Sequence, residues 1–516
     1  MGLGWLLDSS TRRSHEAIAL RYGAISRTYG EFGSRVRRFA KLLTVEGLSR
    51  GDRLGIAMGN RPELIEAMWG CFHAGFCAVP VNARATPEEA ARILNDATVR
   101  AIIHDGAHLA HGMTTANRAT NRVLLLDVDR NGAEFFEGEL EGGPLVDVAP
   151  SDPALLLYTS GTTGRMKGAT LSHRNLLHMS LAYLGDVYSL DSTDVVLHVA
   201  PLTHGSGLYA IPPVARGCLQ IISDMSSFSP EETLRAVERD RVTVIAFLVP
   251  TMLRRLTETQ RMLGVDTSSL RCVVYGGAPA YVADLEDALD VFGPVLAQIY
   301  GQAEAPVTIT RLGFGDHAKF RREDDARLGS VGISYVGTAV RIVDDEGVAL
   351  PYGEIGEVVV KGDVVMSGYW EDPEATEASF INGWLKTGDL GYIDNEEWLF
   401  LVDRQKDVII SGGANVYPRE IEEILITHSS VREAAVVGAP DPDWGERIVA
   451  VVVPTADDID RGGLQHELEI LCRERLAGYK CPRVWEWTDA LPKNAYGKVL
   501  KRDLRNKYWE GVGRLI

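Results

Sequence analysis

The sequence predicts an α/β protein. A large N-terminal domain of mixed, mostly parallel sheets packed with helices carries a barrel-like β portion, and a small α+β domain follows at the C-terminus. Three observations lead there. Short β-branched runs alternate with longer amphipathic stretches from Arg53 onward. After about Phe314 the texture changes to closely spaced strands and Gly turns, which reads as antiparallel. A second shift follows Asp403, where about a hundred residues read as a separate small unit.

In chain order, RLGIAM (53–58) reads as a strand, PELIEAMWGCFHAG (62–75) as a helix, CAVPV (77–81) as a strand, TPEEAARILNDA (86–97) as a helix and RAIIHD (100–105) as a strand. The pattern repeats as the strand TVIAFLVP (243–250), helical TMLRRLTETQ (251–260), the strand RCVVYGGAP (271–279), helical AYVADLEDALDVF (280–292) and the strand VLAQIYGQAE (295–304). GTAVRIVDDEG (337–347) and GEIGEVVVKG (353–362) make up the antiparallel portion. In the small unit, DRQKDVIISGG (403–413) leads into a helix opened by Pro418, followed by strands at 432–440 and 447–454, a helix at 464–479 and VWEWTD. The predicted domains are 1–403 and 404–516. No repeat of 20 to 50 residues marks a solenoid.

The 516 residues fit about three compact units at ~150 residues each. A 45% apolar fraction allows a large core. The 53 basic against 71 acidic residues give a net charge of −18, which opposes a nucleic-acid backbone or an anionic membrane surface. No stretch of about 18 apolar residues reads as a membrane span. Six scattered cysteines without a C-x-x-C pair fit a reducing cytoplasm. The acidity is uneven: 404–516 holds 17 basic and 18 acidic residues. Its tail from Lys493 to Lys507 has six basic residues against Asp503, and is expected to bring positive charge to a bound polyanion.

The most informative stretch is LLLYTSGTTGRMKG (155–168), an apolar strand running into a loop of Thr, Ser and Gly that ends in Lys167, with Ser172 placed to cap the next helix. Glycines let the backbone approach an anion, hydroxyls and peptide N–H groups donate to phosphate oxygens, and Lys167 adds charge. The stretch lacks the Walker A spacing, and the chain contains no G-x-G-x-x-G, H-E-x-x-H or G-x-S-x-G motif.

This loop resembles the phosphate-binding signature of the adenylate-forming (AMP-binding) superfamily, which contains acyl-CoA synthetases, luciferases and peptide-synthetase adenylation domains. Companion motifs follow in the family's order: APLTHGSG (200–207), VVYGGAP (273–279), YGQAEAP (300–306), GWLKTGDLGYID (383–394), DRQKDVIISGGANVYPREIE (403–422) and LPKNAYGKVLKRDLR (491–505). The resemblance implies a mobile C-terminal domain and an enzyme that joins a carboxylate to the α-phosphate of ATP, expels pyrophosphate and lets a thiol attack the acyl-adenylate.

It also implies roles. Thr159, Ser160, Gly161, Thr162, Thr163, Gly164 and Lys167 match the phosphate loop. Gly276, Gly277 and Ala278 match the adenine platform, with Tyr300 for stacking beside Gly301 and Gln302. Glu304 matches the Mg2+ ligand, Asp389 the acceptor of ribose hydroxyls and Arg404 the arginine reaching ribose and phosphate. Lys498 matches the catalytic lysine of adenylation, Lys406 the hinge, His204 the aromatic gate, and Ser411, Gly412 and Gly413 the wall of a pantetheine tunnel. Without the resemblance, Asp389 reads as a turn residue, Lys498 as part of a solvated basic tail and His204 as structural. Two positions depart from the pattern: Ala303 stands where the family usually has Thr, and Ala414 where most relatives have Glu.

The acyl pocket is expected around Gly205, Ser206, Phe247, Gly277 and Ala303; small residues dominate, which suits an extended or planar acid. The gate motif carries no Asp to hold an ammonium, which disfavours amino acids, and AGYKCPR (477–483) resembles stand-alone acyl- and aryl-CoA ligases. The leading reading is therefore an ATP-dependent carboxylic acid:CoA ligase. Its competitors are an adenylating enzyme serving a carrier protein or another non-CoA nucleophile, and a non-catalytic binding protein on the same fold. ATP, Mg2+ and CoA are the expected cofactors, a small carboxylic acid the partner and a homodimer an open assembly. Nucleic-acid binding and integral membrane association are not expected.

Overall fold

The computed structural model describes residues 2–118, 123–138, 140–160, 166–224, 227–278, 280–323, 325–456, 458–493 and 499–509, with Asn117, Arg118 and Ser160 described by their backbone alone. The chain divides into two compact units. The first comprises Met1–Ala280, Asp284–Val340 and Val360–Leu385; the second comprises Tyr281–Ala283, Arg341–Val359 and Lys386–Ile516.

Two sheets organise the first unit. In the six-stranded sheet the order is Leu124–Asp127, Ala101–His104, Arg53–Ala57, Cys77–Pro80, Pro153–Ser160 and Met166–Ser172. The pairs are parallel except the last, where Thr159 lies opposite Lys167 in an antiparallel register. In the nine-stranded sheet the order is Ile333–Ser334, Ala305–Leu312, Leu296–Gln302, Cys272–Gly276, Val244–Leu248, Val195–His198, Leu219–Ile222, Ile18–Tyr22 and Ile25–Thr28. The central pairs are parallel and the edges antiparallel.

The local signals explain the helices. Thr86 caps Pro87–Asp96 with a full capping box to Glu89, and Ser172 caps His173–Ala182 by accepting from the Asn175 N–H. Helix Pro62–Ala74 is buried along its whole length and ends at Gly75 with φ +72°. Lys167 stands on a strand rather than in a loop. After Phe314 the chain first forms the helix Phe314–Glu323. The expected antiparallel texture begins earlier, because Ala305–Leu312 folds back on Leu296–Gln302. Further on, the strands Thr338–Val343, Gly356–Gly362, Trp384–Ile393, Phe380–Ile381 and Leu399–Arg404 form a five-stranded sheet.

In the second unit a five-stranded sheet runs Ala414–Val416, Ile409–Ser411, Gly445–Pro454 and Val431–Asp441, with Val484–Trp487 also on Gly445–Pro454. Helices Pro418–Ile426 and Arg461–Arg475 pack their Ile421, Leu425, Leu464 and Leu468 onto one face of it. Leu504 of helix Lys501–Trp509 packs with Val437, Val449 and Val451 on the other. Among the described residues no helix is long and apolar enough to cross a membrane.

Three imidazoles of the first unit are buried and kept neutral. Burial pushes His173, His198 and His317 each down to about 4. At His317 the Nδ1–H donates to the Gly313 carbonyl (2.7 Å), which leaves Nε2 to accept from Tyr275 Oη (2.8 Å). The unfolded chain takes up these protons below the ordinary value near 6.5 and the folded chain does not. Stability is therefore complete above that pH and falls as pH drops from there towards 4, by about 1.4 kcal/mol per pH unit for each histidine. Urea unfolding followed across that window should show the fall, and His317→Gln should flatten it by about one proton's worth; an unchanged slope contradicts the assignment.

Candidate active site

Glu304 and Lys167 come together through a third segment. Gln302 pairs with Ala305, so Ala303 and Glu304 form the tight connection between two antiparallel strands, and Glu304 is buried there. The Met366 N–H donates to the Glu304 carbonyl (2.8 Å), and Tyr369 Oη donates to Glu304 Oε1 (2.7 Å). Segment 366–370 is in turn tied to the strand bearing Lys167. The Ser367 N–H donates to the Thr170 carbonyl (3.0 Å), the Thr170 N–H to the Gly368 carbonyl (2.9 Å), and the Trp370 N–H to the Gly168 carbonyl (2.8 Å). Lys167 Nζ lies 4.9 Å from the Tyr369 ring centroid. Burial, with the Glu304 carboxylate next in weight, pushes the Tyr369 phenol well up, so it stays a donor.

The neighbouring glycines are sterically required. A Cβ on Gly276 would lie 2.2 Å from the Ile299 carbonyl oxygen, and one on Gly301 2.6 Å from the Val307 nitrogen. Val307 itself takes φ +52°, strained for a β-branched residue. Gly277 has φ +79° and faces Phe247, as does Gly205. Phe247, Tyr209 and Tyr183 continue from there as a buried aromatic run, with centroids 6.3 and 5.1 Å apart. Tyr300 is buried in its strand, and Ala278 follows Gly277 in the turn.

His204 is exposed although its neighbours Thr203, Gly205 and Ser206 are buried. Its loop is clamped by Asn60, whose Nδ2 donates to the Ala200 carbonyl (3.0 Å) and whose Oδ1 accepts from the Leu202 N–H (2.8 Å). Ser206 Oγ lies 3.0 Å from His198 Nδ1.

In the second unit Asp389 pairs across the sheet with Arg404, and Arg404 Nε lies 3.0 Å from Asp389 Oδ1. Lys406 sits in the 3₁₀ turn Gln405–Asp407, its ammonium pushed down by burial and then by Arg404. Ser411 pairs with Ala414 across Gly412 and Gly413, at φ +61° and +78°; two left-handed residues in a two-residue hairpin are what a type I′ turn needs. A Cβ on Gly412 would strike the Trp444 ring at 2.6 Å. Gly161, Thr162, Thr163, Gly164 and Lys498 lie outside the described residues. Tyr369 and Asn60 escaped the sequence reading: their contacts lie 65 and at least 140 residues away, and only their setting between Gly368 and Trp370, or after Gly59 at a strand end, marked them.

This fold defines an adenylate-forming enzyme. The AMP-binding enzyme family matches residues 7–370, and the AMP-binding enzyme C-terminal domain matches 420–498. The chain is 38% identical over 513 residues to a feruloyl-CoA synthase of Amycolatopsis sp, covering 98% of this chain and 99% of that one. It is 34% identical over 504 residues to the 2-succinylbenzoate–CoA ligase of Bacillus subtilis (strain 168), covering 97% of each. The crystal structure of ATP-bound MatB from Rhodopseudomonas palustris superposes with a TM-score of 0.89 at 30% identity, over 99% of this chain and 100% of that one. The chain belongs to the AMP-binding enzyme family. It is an AMP-forming acid–thiol ligase, which uses ATP to adenylate a carboxylate and CoA to accept the acyl group.

Removing the Tyr369 hydroxyl releases Glu304. Tyr369→Phe should lower kcat/KM for ATP about tenfold, the scale of one hydrogen bond to a charged group, and shift the rate's dependence on Mg2+ concentration. Pyrophosphate exchange over a Mg2+ titration measures both, and a variant indistinguishable in both shows the contact to be idle.

Proposed function

We propose that the chain activates an aryl-bearing carboxylic acid and transfers it to CoA. The observation that carries the substrate class is the buried run of Phe247, Tyr209 and Tyr183, reached past Gly205 and Gly277, both of which face the Phe247 ring. An aromatic wall with glycines before it suits a flat ring. The acids named for the two relatives, feruloyl and 2-succinylbenzoyl, both contain one.

The roles follow the site. Lys167, Thr159 and Ser160 at the end of their strand, the residues 161–164 that follow in sequence, and Gly276, Gly277 and Ala278 hold ATP. Among the described residues there is no group of three His, Cys, Asp or Glu side chains placed to hold a metal. A cation bound at Glu304 would thus take most ligands from phosphate and water, as Mg2+ does, and its charge would offset that of the two meeting anions. Asp389 accepts the ribose hydroxyls while Arg404, 3.0 Å away, holds that carboxylate in place. Lys498 donates to the oxygens on which charge develops during adenylation. Rotation at Lys406 then exchanges Lys498 for the Ser411–Gly413 turn, which lines the path of the CoA thiol, and His204 stands between acyl pocket and thiol. The six free cysteines fit a cytoplasmic setting.

A panel of ferulate, 2-succinylbenzoate, octanoate and malonate, assayed for pyrophosphate release with and without CoA, tests this. An aryl acid should turn over fastest, and thioester should form only with CoA; a preference for octanoate refutes the aryl reading. Lys498→Ala should lower acid-dependent pyrophosphate release about 100- to 1000-fold, the worth of one well-placed donor, while sparing thioester formation from supplied acyl-adenylate.

A further inference from the structure

The residues around Lys406 are pinned on three sides within the second unit. Upstream, the Asp403 carboxylate accepts from the Arg404 N–H (2.7 Å) and from the Arg419 N–H (3.0 Å), and Arg419 Nη1 donates to the Leu401 carbonyl (3.1 Å). Downstream, the Val408 N–H closes on the Arg404 carbonyl (3.3 Å), and Ile409 enters the sheet as a buried core residue. The third side is supplied by helix Lys501–Trp509. Arg505 Nη1 donates to the Lys406 carbonyl (2.9 Å), and the same nitrogen lies 3.8 Å from Asp407 Oδ1.

That helix is itself fixed. Lys501, one turn before Arg505 on the same face, reaches Glu422 (2.8 Å), whose Oε1 also accepts from the Val436 N–H (2.7 Å). Glu422 is buried and Lys501 half-buried, and Leu504 anchors the helix to the sheet. Lys501 follows Lys498 by three residues, so the helix that grips the Lys406 peptide is the one that directly continues the Lys498 segment.

We propose that Arg505 is a positioning residue that latches the hinge, an inference resting on the reading of Lys406 as that hinge. The Lys406 carbonyl belongs to the peptide whose rotation would swing the domain. A charge-assisted hydrogen bond to it favours one peptide orientation and is lost when the carbonyl turns away. A contact present in only one of two states shifts the balance between them. Arg505 therefore sets how the enzyme divides between the pose that adenylates and the pose that forms thioester, without touching either substrate.

The test uses the full-length protein with ferulate and feruloyl-adenylate, or with the panel's preferred acid and its adenylate. Acid-dependent ATP–pyrophosphate exchange reports the first half-reaction, and thioester formation from adenylate and CoA the second. Arg505→Ala should move the two rates in opposite senses and change their ratio by about fivefold or more. Arg505→Lys, which keeps a cation able to reach the Lys406 carbonyl and Asp407, should restore the ratio. Lys406→Pro, which fixes φ near −65°, should slow the CoA step more than adenylation. If Arg505→Ala lowers both rates by one factor, or changes neither, while Lys406→Pro shifts the ratio, the latch is overturned and the hinge stands. If Lys406→Pro lowers both equally, the hinge reading falls and the latch with it.

Discussion

The short segment Met366–Trp370 is the constraint on which the site depends. Lys167 belongs to the six-stranded sheet and Glu304 to the nine-stranded one, so no continuous strand brings them together. The Ser367 and Trp370 N–H groups donate to the first sheet and the Gly368 carbonyl accepts from it, which fixes the segment there, and the Met366 N–H fixes it to the Glu304 turn. Tyr369 then needs one rotamer to reach the carboxylate while its ring lies beside the lysine. A carboxylate and a cation that both contact one aromatic ring, instead of each other, do not cancel as a direct ion pair would.

Asn60 joins the same two sheets elsewhere. It follows the strand Arg53–Ala57 of one and grips the backbone at Ala200 and Leu202, just beyond the strand Val195–His198 of the other. His204, Gly277 and Glu304 likewise follow the carboxyl ends of the strands that end at His198, Gly276 and Gln302. Open parallel sheets place ligands in the crevice outside those ends, where loops are free of pairing. The geometry thus fits the recurrence of the candidate site residues in the segments that follow apolar strands, and the polar clamp of Asn60 lies where the loops of two sheets meet.

Much of this was legible. Each βαβ element read from alternating β-branched and amphipathic runs is present, because burial on both faces leaves parallel strands as continuous apolar runs. The first fifty residues were not legible in the same way: Ile18–Tyr22 pairs with Leu219–Ile222, two hundred residues on, and no local pattern encodes that partner. Lys167 was read as a loop residue because Ser, Thr and Gly around it mask a strand whose pairing with Thr159 comes from the opposite side of the turn. Tyr369 shows the same limit, since its value lies in where Glu304 is and not in its neighbours. The glycines at 412 and 413 were read as part of a tunnel wall, and their positive φ angles add a requirement of the turn itself that the sequence reading did not include.

The division of charge between the two parts also takes on a different meaning. Six basic residues between Lys493 and Lys507 look like a tail that carries positive charge toward a polyanion. In the folded unit five of them meet acids of that same unit: Lys493 with Glu433, Lys501 with Glu422, Arg502 with Asp503, Arg505 with Asp407 and Lys507 with Glu486. Their charge is committed to holding a helix and a turn in place, and their near field is largely neutralised. A diffuse basic patch would attract ATP and pyrophosphate alike. Pairing these five within the fold leaves little diffuse positive charge on their stretch of the surface, so attraction of a polyanion there would have to come from individually placed groups.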